Sequence, residues 1–231
     1  MRKSLLLALP LLAAAPLLLA QTPATQPSAA SPVPPITGKL GTPIDLFNGK
    51  DFSGWSWHAT DGSKLEDVWT IKDGAMHCAK GKKGYIGLDK DYTNFKLIIE
   101  QRHITQGNGG FFVCIHGDPK VWPDGIQIQG KWGAVCDLIN QNSGMKMDTD
   151  PARTKKQNQD YLITRIGPNN EKPLGEWNTI ETTVDHGNLT TTLNGQLQNW
   201  ATHIDPATGK IGIQDEGAEM EFRKVQLIPI E

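Results

Sequence analysis

The sequence lacks the basic excess that binding to nucleic acids or to anionic membranes requires. Its 231 residues include 23 Lys and Arg against 25 Asp and Glu, a formal net charge of −2. Proteins that bind phosphates use a positively charged surface, and their affinity depends on that charge. We therefore expect no nucleic-acid partner, and we interpret the short basic clusters at residues 80–83 and 155–156 as solvated loops.

The sequence also lacks a disulfide framework and a metal-binding motif. Its three cysteines, Cys78, Cys114 and Cys136, are an odd number and do not have the spacing of zinc ligands. The six histidines include no His-Glu-x-x-His pattern. We expect buried free thiols, with a Cys114–Cys136 disulfide as the alternative if their strands are neighbours. No cofactor is evident, and a divalent metal stays possible because the sequence cannot reveal one.

A hydrophobic run long enough to span a membrane is missing too. The apolar run at residues 5–20 follows two basic residues, contains Pro10 and Pro16, and falls short of the ~20 apolar residues that a spanning helix needs. This pattern is typical of an export signal. We predict a signal peptide over residues 1–20 and a disordered Pro/Ala/Ser/Thr-rich tether over residues 21–40. The protein is then periplasmic or extracellular, in a bacterium.

Beyond the predicted tether, the chain lacks a long 3.6-residue periodicity. It offers short runs of β-branched and aromatic residues separated by Gly, Asn, Asp and Pro, which indicate strands. Residues 186–188 (HGN) and the Asn194-Gly195 pair predict tight turns between antiparallel strands. Because so many strands do not fit one open sheet, we predict a single all-β domain over residues 41–231, built as a two-sheet sandwich.

Five segments in order carry a resemblance to a known family. They are LFNGKDFSGW at 46–55, WTIKDG at 69–74, PLGEWN at 173–178, LNG at 193–195 and GKIGIQDEGAEMEFRKV at 209–225. Through them the chain resembles the bacterial family of 3-keto-disaccharide hydrolases, 3-keto-glucoside-1,2-lyases and 3-keto-2-hydroxy-glucal hydratases. The resemblance implies a jelly-roll sandwich of the concanavalin A-like lectin and glucanase type. It also implies a carbohydrate partner, a small oligosaccharide or an oxidised glycoside.

The activity that the resemblance implies is cleavage of a 3-keto-glycoside by elimination followed by hydration. A carbonyl at C3 makes the C2 proton acidic, so the site needs a base, a group that stabilises the enolate, and partners for the sugar hydroxyls. Two other functions stay open on the same sandwich. One is a non-catalytic, lectin-like sugar-binding module, and the other is a structural domain of the cell envelope.

Candidate catalytic residues lie in the middle of the chain. In the predicted strand 95–103, alternation places Glu100 and Arg102 on one face, where they either line a polar cleft or form a surface pair. His116 ends the strand that follows the glycine-rich segment 107–110. We assign Glu100 or His116 as the base and Arg102 as the group that stabilises the enolate.

Candidate sugar-binding residues are amides and tryptophans. Gln127 and Gln129 share one face of a predicted strand, and an amide can both donate to and accept from a hydroxyl. Asn108 and Gln214 complete the set of hydroxyl partners, although a solvated strand face is the alternative. The loop residues Trp122 and Trp132 are predicted at the rim, whereas Trp55 and Trp69 are expected in the core.

Three positions differ from the family pattern. Where the family usually has Arg, Glu and Tyr, this chain has Cys114, Gln127 and Cys136. A glutamine cannot accept a proton as a general base. The chain is therefore a binder if the missing glutamate is the family's base, and an enzyme if the base lies at Glu100 or His116.

Overall fold

The computed structural model describes residues 35–36, 38–59 and 61–231. The predicted signal peptide and residues 21–34 and 37 of the predicted tether lie outside the described residues. Among the residues that are described, no helix has the length and apolar character needed to cross a membrane. The described chain contains seventeen strands and a single 3₁₀ turn, Leu65–Asp67.

The strands are short and follow one another with few long connections. In chain order they are β1 (Ile44–Asp45), β2 (Trp55–Ala59), β3 (Trp69–Lys72), β4 (Ala75–Cys78), β5 (Lys83–Leu88), β6 (Phe95–His103), β7 (Asn108–His116), β8 (Asp124–Gln129), β9 (Leu138–Gln141), β10 (Lys146–Asp148), β11 (Thr154–Gln157), β12 (Asp160–Ile163), β13 (Asn178–Asp185), β14 (Asn188–Leu193), β15 (Gln196–Asp205), β16 (Lys210–Glu216) and β17 (Met220–Pro229).

These strands form two antiparallel sheets. The nine-stranded sheet has the spatial order β10-β15-β14-β13-β6-β17-β4-β3, and β1 pairs with β17 at its side. The eight-stranded sheet has the order β11-β12-β9-β8-β7-β16-β5-β2. Neighbours in space are often far apart in sequence, which is the pattern of a jelly roll. The predicted all-β, two-sheet sandwich is confirmed.

The hydrophobic core lies between the sheets because each strand turns alternate side chains inward. In β6, Leu97 and Ile99 are fully buried, while the residues between them are partly exposed on the other face. In β8, Ile126 and Ile128 are buried in the same core. The predicted strand faces are therefore confirmed.

Tryptophans contribute to this core as well. Trp55 and Trp69 belong to it, as expected, with 6% and 1% of their surface exposed. The centroid of the Trp69 ring in β3 lies 6.0 Å from that of the Phe222 ring in β17, so Trp69 packs in the core on the inner face of the nine-stranded sheet. Burial of rings this large is a major part of what stabilises the sandwich.

Both predicted hairpin turns are present. His186 and Gly187 have φ of 46° and 76°, and Asn194 and Gly195 have φ of 49° and 82°. Two successive residues at positive φ form the type I′ turn, whose twist matches that of the flanking strands. These turns join β13, β14 and β15 into the predicted meander.

The segment around Cys136 differs from the prediction. The run AVCDLI at residues 134–139 has the apolar, β-branched composition that predicts a strand, but the structure has a turn at Cys136, with φ of 69°, and begins β9 only at Leu138. The Cys136 amide donates to the Gln129 carbonyl at 2.8 Å, which continues the end of β8 into this turn. Cys78, Cys114 and Cys136 are all buried free thiols, so the Cys114–Cys136 disulfide is not formed.

Candidate functional site

A polar cleft opens on the outer face of the eight-stranded sheet and has a volume of about 510 Å³. Its floor comes from β7, β16 and β8, which lie side by side. Because the isoleucines of these strands point into the core, the residues between them point into the cleft. Four predicted hydroxyl partners therefore meet there: Asn108, Gln127, Gln129 and Gln214.

The amides of the floor form one hydrogen-bonded chain. The Gln127 side-chain NH₂ donates to Gln214 Oε1 at 2.7 Å and to Gln129 Oε1 at 3.3 Å. Gln129 Oε1 also accepts from the backbone amides of Gly130 and Lys131, at 3.1 and 3.3 Å. Both N–H groups of Gln127 thus donate to side-chain oxygens, and this network fixes the orientation of the three amide side chains.

Glu216 ends this chain of hydrogen bonds and is half-buried in the cleft. Its Oε2 accepts a short hydrogen bond from the Asn108 side chain and another from Gln214 Nε2 at 3.3 Å. Burial raises the pKa of Glu216 above its usual value, while Lys83 and Lys131 act in the opposite direction. A carboxylate with a raised pKa beside a polar cleft is suited to proton transfer.

Two lysines supply positive charge near Glu216. Lys83 in β5 lies opposite Glu216 of β16 in the strand register and lines the cleft. Lys131 follows the floor strand β8 and is close enough to act on the pKa of Glu216 in the downward direction. The cleft therefore holds the Glu216 carboxylate and the Lys83 ammonium group within one polar surface, an arrangement that can move a proton and stabilise an oxyanion.

The predicted rim residue Trp122 does line the cleft, in the loop between β7 and β8. Its carbonyl accepts from Asn142 Nδ2 at 2.9 Å, which anchors the loop. Asp160 of β12 also lines the cleft, and it accepts from the Asn142 backbone amide at 2.7 Å. An aromatic residue and a carboxylate, both linked to Asn142, thus border the row of amides.

Two predicted catalytic residues do not lie in the cleft. Glu100 and Arg102 belong to β6 of the nine-stranded sheet, and their side chains point away from the core on its outer face. Glu100 pairs with Arg223 at 2.5 Å, and Arg102 Nε donates to Glu221 at 2.7 Å. The prediction that they share a polar cleft with the amides is wrong, because β6 joins the other sheet.

The other two predicted residues, His116 and Trp132, are also outside the cleft. His116 lines a separate cavity on the eight-stranded sheet, and its Nδ1 lies 3.1 Å from the Cys114 carbonyl. Trp132 packs edge-on against the buried His103, with ring centroids 5.5 Å apart. The prediction that Trp132 lies at the rim of this cleft is therefore wrong.

Sequence reasoning missed Glu216 and Lys83. The signal for Glu216 is present, since strand alternation places it on the same face as Gln214, but the segment 214–217 also fits a binding residue followed by a turn. Lys83 has no local signal. It reaches the cleft only because β5 pairs with β16, more than a hundred residues later in the chain.

Within the described part of the chain, no group of three or more His, Cys, Asp or Glu side chains is placed to hold a metal ion. Asp160 and Glu216 are the carboxylates that line the cleft. Beside them the lining offers the ammonium group of Lys83 and the row of side-chain amides.

Comparison with solved structures shows the same fold in proteins of low sequence identity. The β-glucanase of Bacillus licheniformis superposes with a TM-score of 0.55 at 13% identity, covering 84% of this chain and 99% of that one. The carbohydrate-binding module CBM66 of Bacillus subtilis gives a TM-score of 0.52 at 13% identity, covering 75% and 94%. These similarities show the sandwich fold alone.

Sequence comparison places the chain more narrowly. It is 29% identical over 228 residues to a 3-keto-disaccharide hydrolase of Bacteroides thetaiotaomicron, covering 80% of this chain and 77% of that protein. The family model described as 3-keto-alpha-glucoside-1,2-lyase-like domain matches residues 42–228. The five sequence motifs fall within this range, and the match spans nearly the whole sandwich. The chain belongs to the 3-keto-α-glucoside-1,2-lyase-like family.

Proposed function

We propose that this protein is a carbohydrate-active enzyme that cleaves 3-keto-glycosides in the polar cleft, by elimination and hydration, with Glu216 as the base. Membership of the family supports the substrate class. The observation that supports the mechanism is the position of Glu216, a half-buried carboxylate at the end of the row of side-chain amides. Glu216 thus replaces Glu100 and His116 as the candidate base.

The first step is removal of the C2 proton. Glu216 takes this proton, the C2–H electron pair moves toward C3, and the ketone oxygen becomes an enolate. A carboxylate whose pKa is raised by burial is a stronger base than an exposed one. Because Glu216 keeps hydrogen bonds from Asn108 and Gln214, it is held toward the cleft while it reacts.

The next steps break the glycosidic bond and restore a saturated sugar. The enolate re-forms the C3 carbonyl and expels the C1 substituent, which takes from Glu216 the proton that this carboxylate removed from C2. Water then adds across the resulting C1–C2 double bond, so the net reaction is hydrolysis. Lys83, which lines the cleft opposite Glu216, is proposed to stabilise the enolate oxygen, where negative charge develops.

The amides and Trp122 are proposed to bind the sugar ring. Within the row, Gln127 Oε1 and Gln129 Nε2 are not engaged, and Gln214 Nε2 uses one of its two N–H groups on Glu216. The floor therefore offers an acceptor at Gln127 and donors at Gln129 and Gln214 to the hydroxyls of a ring that lies on it. The Trp122 side chain gives an apolar surface at the border, on which the C–H face of a sugar packs.

The test is sugar release from a 3-keto-disaccharide by wild type and by Glu216→Gln. We expect wild-type turnover and a decrease of kcat by roughly 10²–10⁴-fold in the variant, since positioned acid–base groups contribute that much. Glu66→Gln, an exposed glutamate in the 3₁₀ turn, is the matched control and is expected to have wild-type activity. Full activity in Glu216→Gln, with a folded control, would refute the assignment.

A second candidate function is a non-catalytic sugar-binding module. It is favoured by one observation, that neutral Gln127 stands in the cleft where the family usually has Glu. In that case unoxidised disaccharides bind to the cleft, Trp122→Ala abolishes this binding, and no keto-glycoside is cleaved. Release of sugar by the wild type would exclude it.

Export and the domain boundaries are part of the same proposal. We propose that residues 1–20 are removed on export, that residues 21–40 are a tether, and that residues 41–231 are the active domain in the periplasm or outside the cell. Lys39 and Leu40 pair with the last two residues of the chain, so the described end of the tether is joined to the domain. N-terminal sequencing of protein from the culture medium and the periplasm tests the cleavage site.

A further inference from the structure

A second cavity opens on the same sheet, beside the polar cleft. Its volume is about 270 Å³, roughly half the 510 Å³ of the cleft, and it is more enclosed. The acidic residues, histidines and lysine that line it are His58, Asp89, Asp91, His116, Asp118 and Lys210. None of these residues belongs to the cleft that the proposed function uses.

The cavity and the cleft share one face of one strand. In β16, Gln214 and Glu216 line the cleft, and Lys210 lines the cavity. Strand rise is about 3.3 Å per residue, so Gln214 and Lys210 lie ~13 Å apart. A short oligosaccharide can span this distance along the strand.

An aromatic ridge separates the two sites. Tyr85 and Phe112 contact each other edge-to-face at 5.7 Å, and Trp122 packs against them from the loop. Trp122 lines the cleft, whereas Tyr85 lines the cavity. A sugar ring in the cleft and one in the cavity would therefore both contact this aromatic ridge, from opposite sides.

Two glycines of the sheet leave the space that the Tyr85 ring occupies. A Cβ at Gly212 would lie 2.7 Å from Tyr85 Cδ2, and one at Gly87 would lie 2.9 Å from Tyr85 Cε2. The ring thus occupies the space above these two glycines. His58 stacks on it, with ring centroids 4.6 Å apart and an angle of 18° between the planes. The wall of the cavity is consequently a fixed stack.

The polar groups of the cavity suit a hydroxyl-rich ligand. Each carboxylate accepts hydrogen bonds from hydroxyls, and Lys210 and the histidines donate. Three carboxylates face one ammonium group, so the cavity carries excess negative charge and disfavours anions. Asp89 lines the cavity together with His58 and Tyr85. Burial lowers the pKa of His58 and raises that of Tyr85 to about 12, and Asp89 acts on the pKa of both in the upward direction.

We propose that this cavity is a sugar-binding subsite that receives the leaving group of the keto-glycoside bound in the cleft. Its ligand is a neutral or cationic pyranose, such as glucose or an amino sugar, and uronic acids are excluded. The inference rests on the proposed function for the origin of the ligand. The keto ring lies over the amide floor, and the C1 substituent extends past the aromatic ridge.

The kinetic test compares a 3-keto-disaccharide with methyl 3-keto-glucoside, whose leaving group is methanol. The variant is Asp91→Asn/Asp118→Asn; both carboxylates are exposed, so their replacement does not disturb the core. We expect KM for the disaccharide to rise about tenfold, as for the loss of one to two hydrogen bonds, and kinetics on the methyl glycoside to stay within about twofold of wild type. Equal effects on both substrates, or on neither, would overturn the proposal.

The matched control is Asp148→Asn, an exposed aspartate at the edge of the nine-stranded sheet. It is expected to leave both substrates unaffected. Glu216→Gln should lower kcat on both substrates by roughly 10²–10⁴-fold, which separates loss of chemistry from loss of the subsite.

A binding measurement decides the subsite without any turnover. Methyl glucoside, glucosamine and glucuronate are titrated into labelled protein and followed by NMR. We expect the neutral and cationic sugars to shift the signals of His58 and His116, glucuronate to leave them unchanged, and the selectivity against glucuronate to be lost in Asp91→Asn/Asp118→Asn. If the wild type cleaves neither keto substrate, only the proposed reaction fails. Shifts confined to Trp122 and Gln214 would overturn the subsite itself.

Discussion

At the scale of residues, Asp215 and Glu216 show how one strand serves two environments. They are neighbours in β16, so alternation turns Glu216 to the cleft and Asp215 to the interior. Burial raises the pKa of both carboxyls, to about 7 for Asp215. Glu216 keeps contact with the polar cleft and can exchange its proton with a substrate. Asp215 is 1% exposed and does not line the cleft.

Asp215 should make the stability of the protein depend on pH. Its pKa is about 7 in the folded state and near 3.8 in the unfolded chain, so the folded state binds the extra proton between these values. The free energy of unfolding therefore falls as the pH rises from about 4 through about 7. Asp215→Asn removes this ionisation and is expected to be less sensitive to pH over that range and more stable than wild type at about pH 8. Urea unfolding of both proteins at about pH 4 and about pH 8 measures the difference. If the free energy of unfolding changed with pH equally in wild type and Asp215→Asn, the prediction would be contradicted.

Gln127 sits where a carboxylate would be costly. Its NH₂ donates to oxygens of Gln214 and Gln129, so Gln127→Glu would place a carboxylate against two acceptors. We expect a loss of about 1–3 kcal/mol in stability, as for a buried polar group left unsatisfied, and lower activity than wild type. Thermal unfolding measures the change in stability, and sugar release from the 3-keto-disaccharide measures the change in activity.

The control for this substitution is Gln157→Glu on the exposed strand β11. It should change neither stability nor activity. If activity were found only in Gln127→Glu, the wild-type protein would be a binding form of the family, and Glu216 would not be the base.

At the scale of elements, strand order determines the composition of the cleft. β7, β16 and β8 each contribute amide or carboxylate side chains from the face that points away from the core. β5, the next strand in the sheet, adds Lys83. Turns and loops complete the borders, with Trp122 following β7 and Asp160 beginning β12. The site is thus built mainly on strands, which hold side chains more rigidly than loops do.

The hairpin between β14 and β15 gives a prediction at this scale. Gly195 has φ of 82°, and a Cβ there would meet nothing within 4 Å, so the cost of a side chain is conformational. Gly195→Val is expected to lose about 1–3 kcal/mol of stability, because a β-branched residue is strained at positive φ. Gly195→Asn, which tolerates this region, should lose less. Urea unfolding of the two variants tests the order, and an equal stability of Val and Gly would contradict the turn assignment.

At the scale of the whole molecule, the two sheets present different outer faces. The eight-stranded sheet presents the cleft and the cavity. The nine-stranded sheet presents a charged ladder in which the guanidinium groups of Arg102 and Arg223 lie 4.6 and 4.4 Å from the Trp177 ring. The core separates these faces, so charges on the ladder do not contact a ligand bound on the other sheet.

This separation predicts the behaviour of Glu100. Glu100→Gln should leave kcat/KM on the 3-keto-disaccharide within about twofold of wild type and lower stability by no more than about 1 kcal/mol, since its pair with Arg223 is partly exposed. Glu221→Gln is the comparison, because Glu221 is buried and pairs with Arg102. It should cost more stability and equally little activity. A large loss of activity in Glu100→Gln would return Glu100 to the mechanism.

Much of the local structure follows from the sequence, because its signals have a short range. Alternation of period two assigns Gln127 and Gln129 to one face and Ile126 and Ile128 to the other, whatever the strand pairs with. Asn194-Gly195 determines a tight turn through its own backbone preferences. The all-β class and the set of amides in the cleft were therefore predictable from the sequence.

Only the tertiary structure decided which strands share a sheet. β6 lies between β13 and β17, which sends Glu100 and Arg102 to the outside of the nine-stranded sheet, although their own alternation was predicted correctly. Glu216 meets Asn108, and Lys83 reaches the cleft, through pairings of strands that are about a hundred residues or more apart. Such pairings depend on how whole faces pack in the core, and no local pattern encodes them.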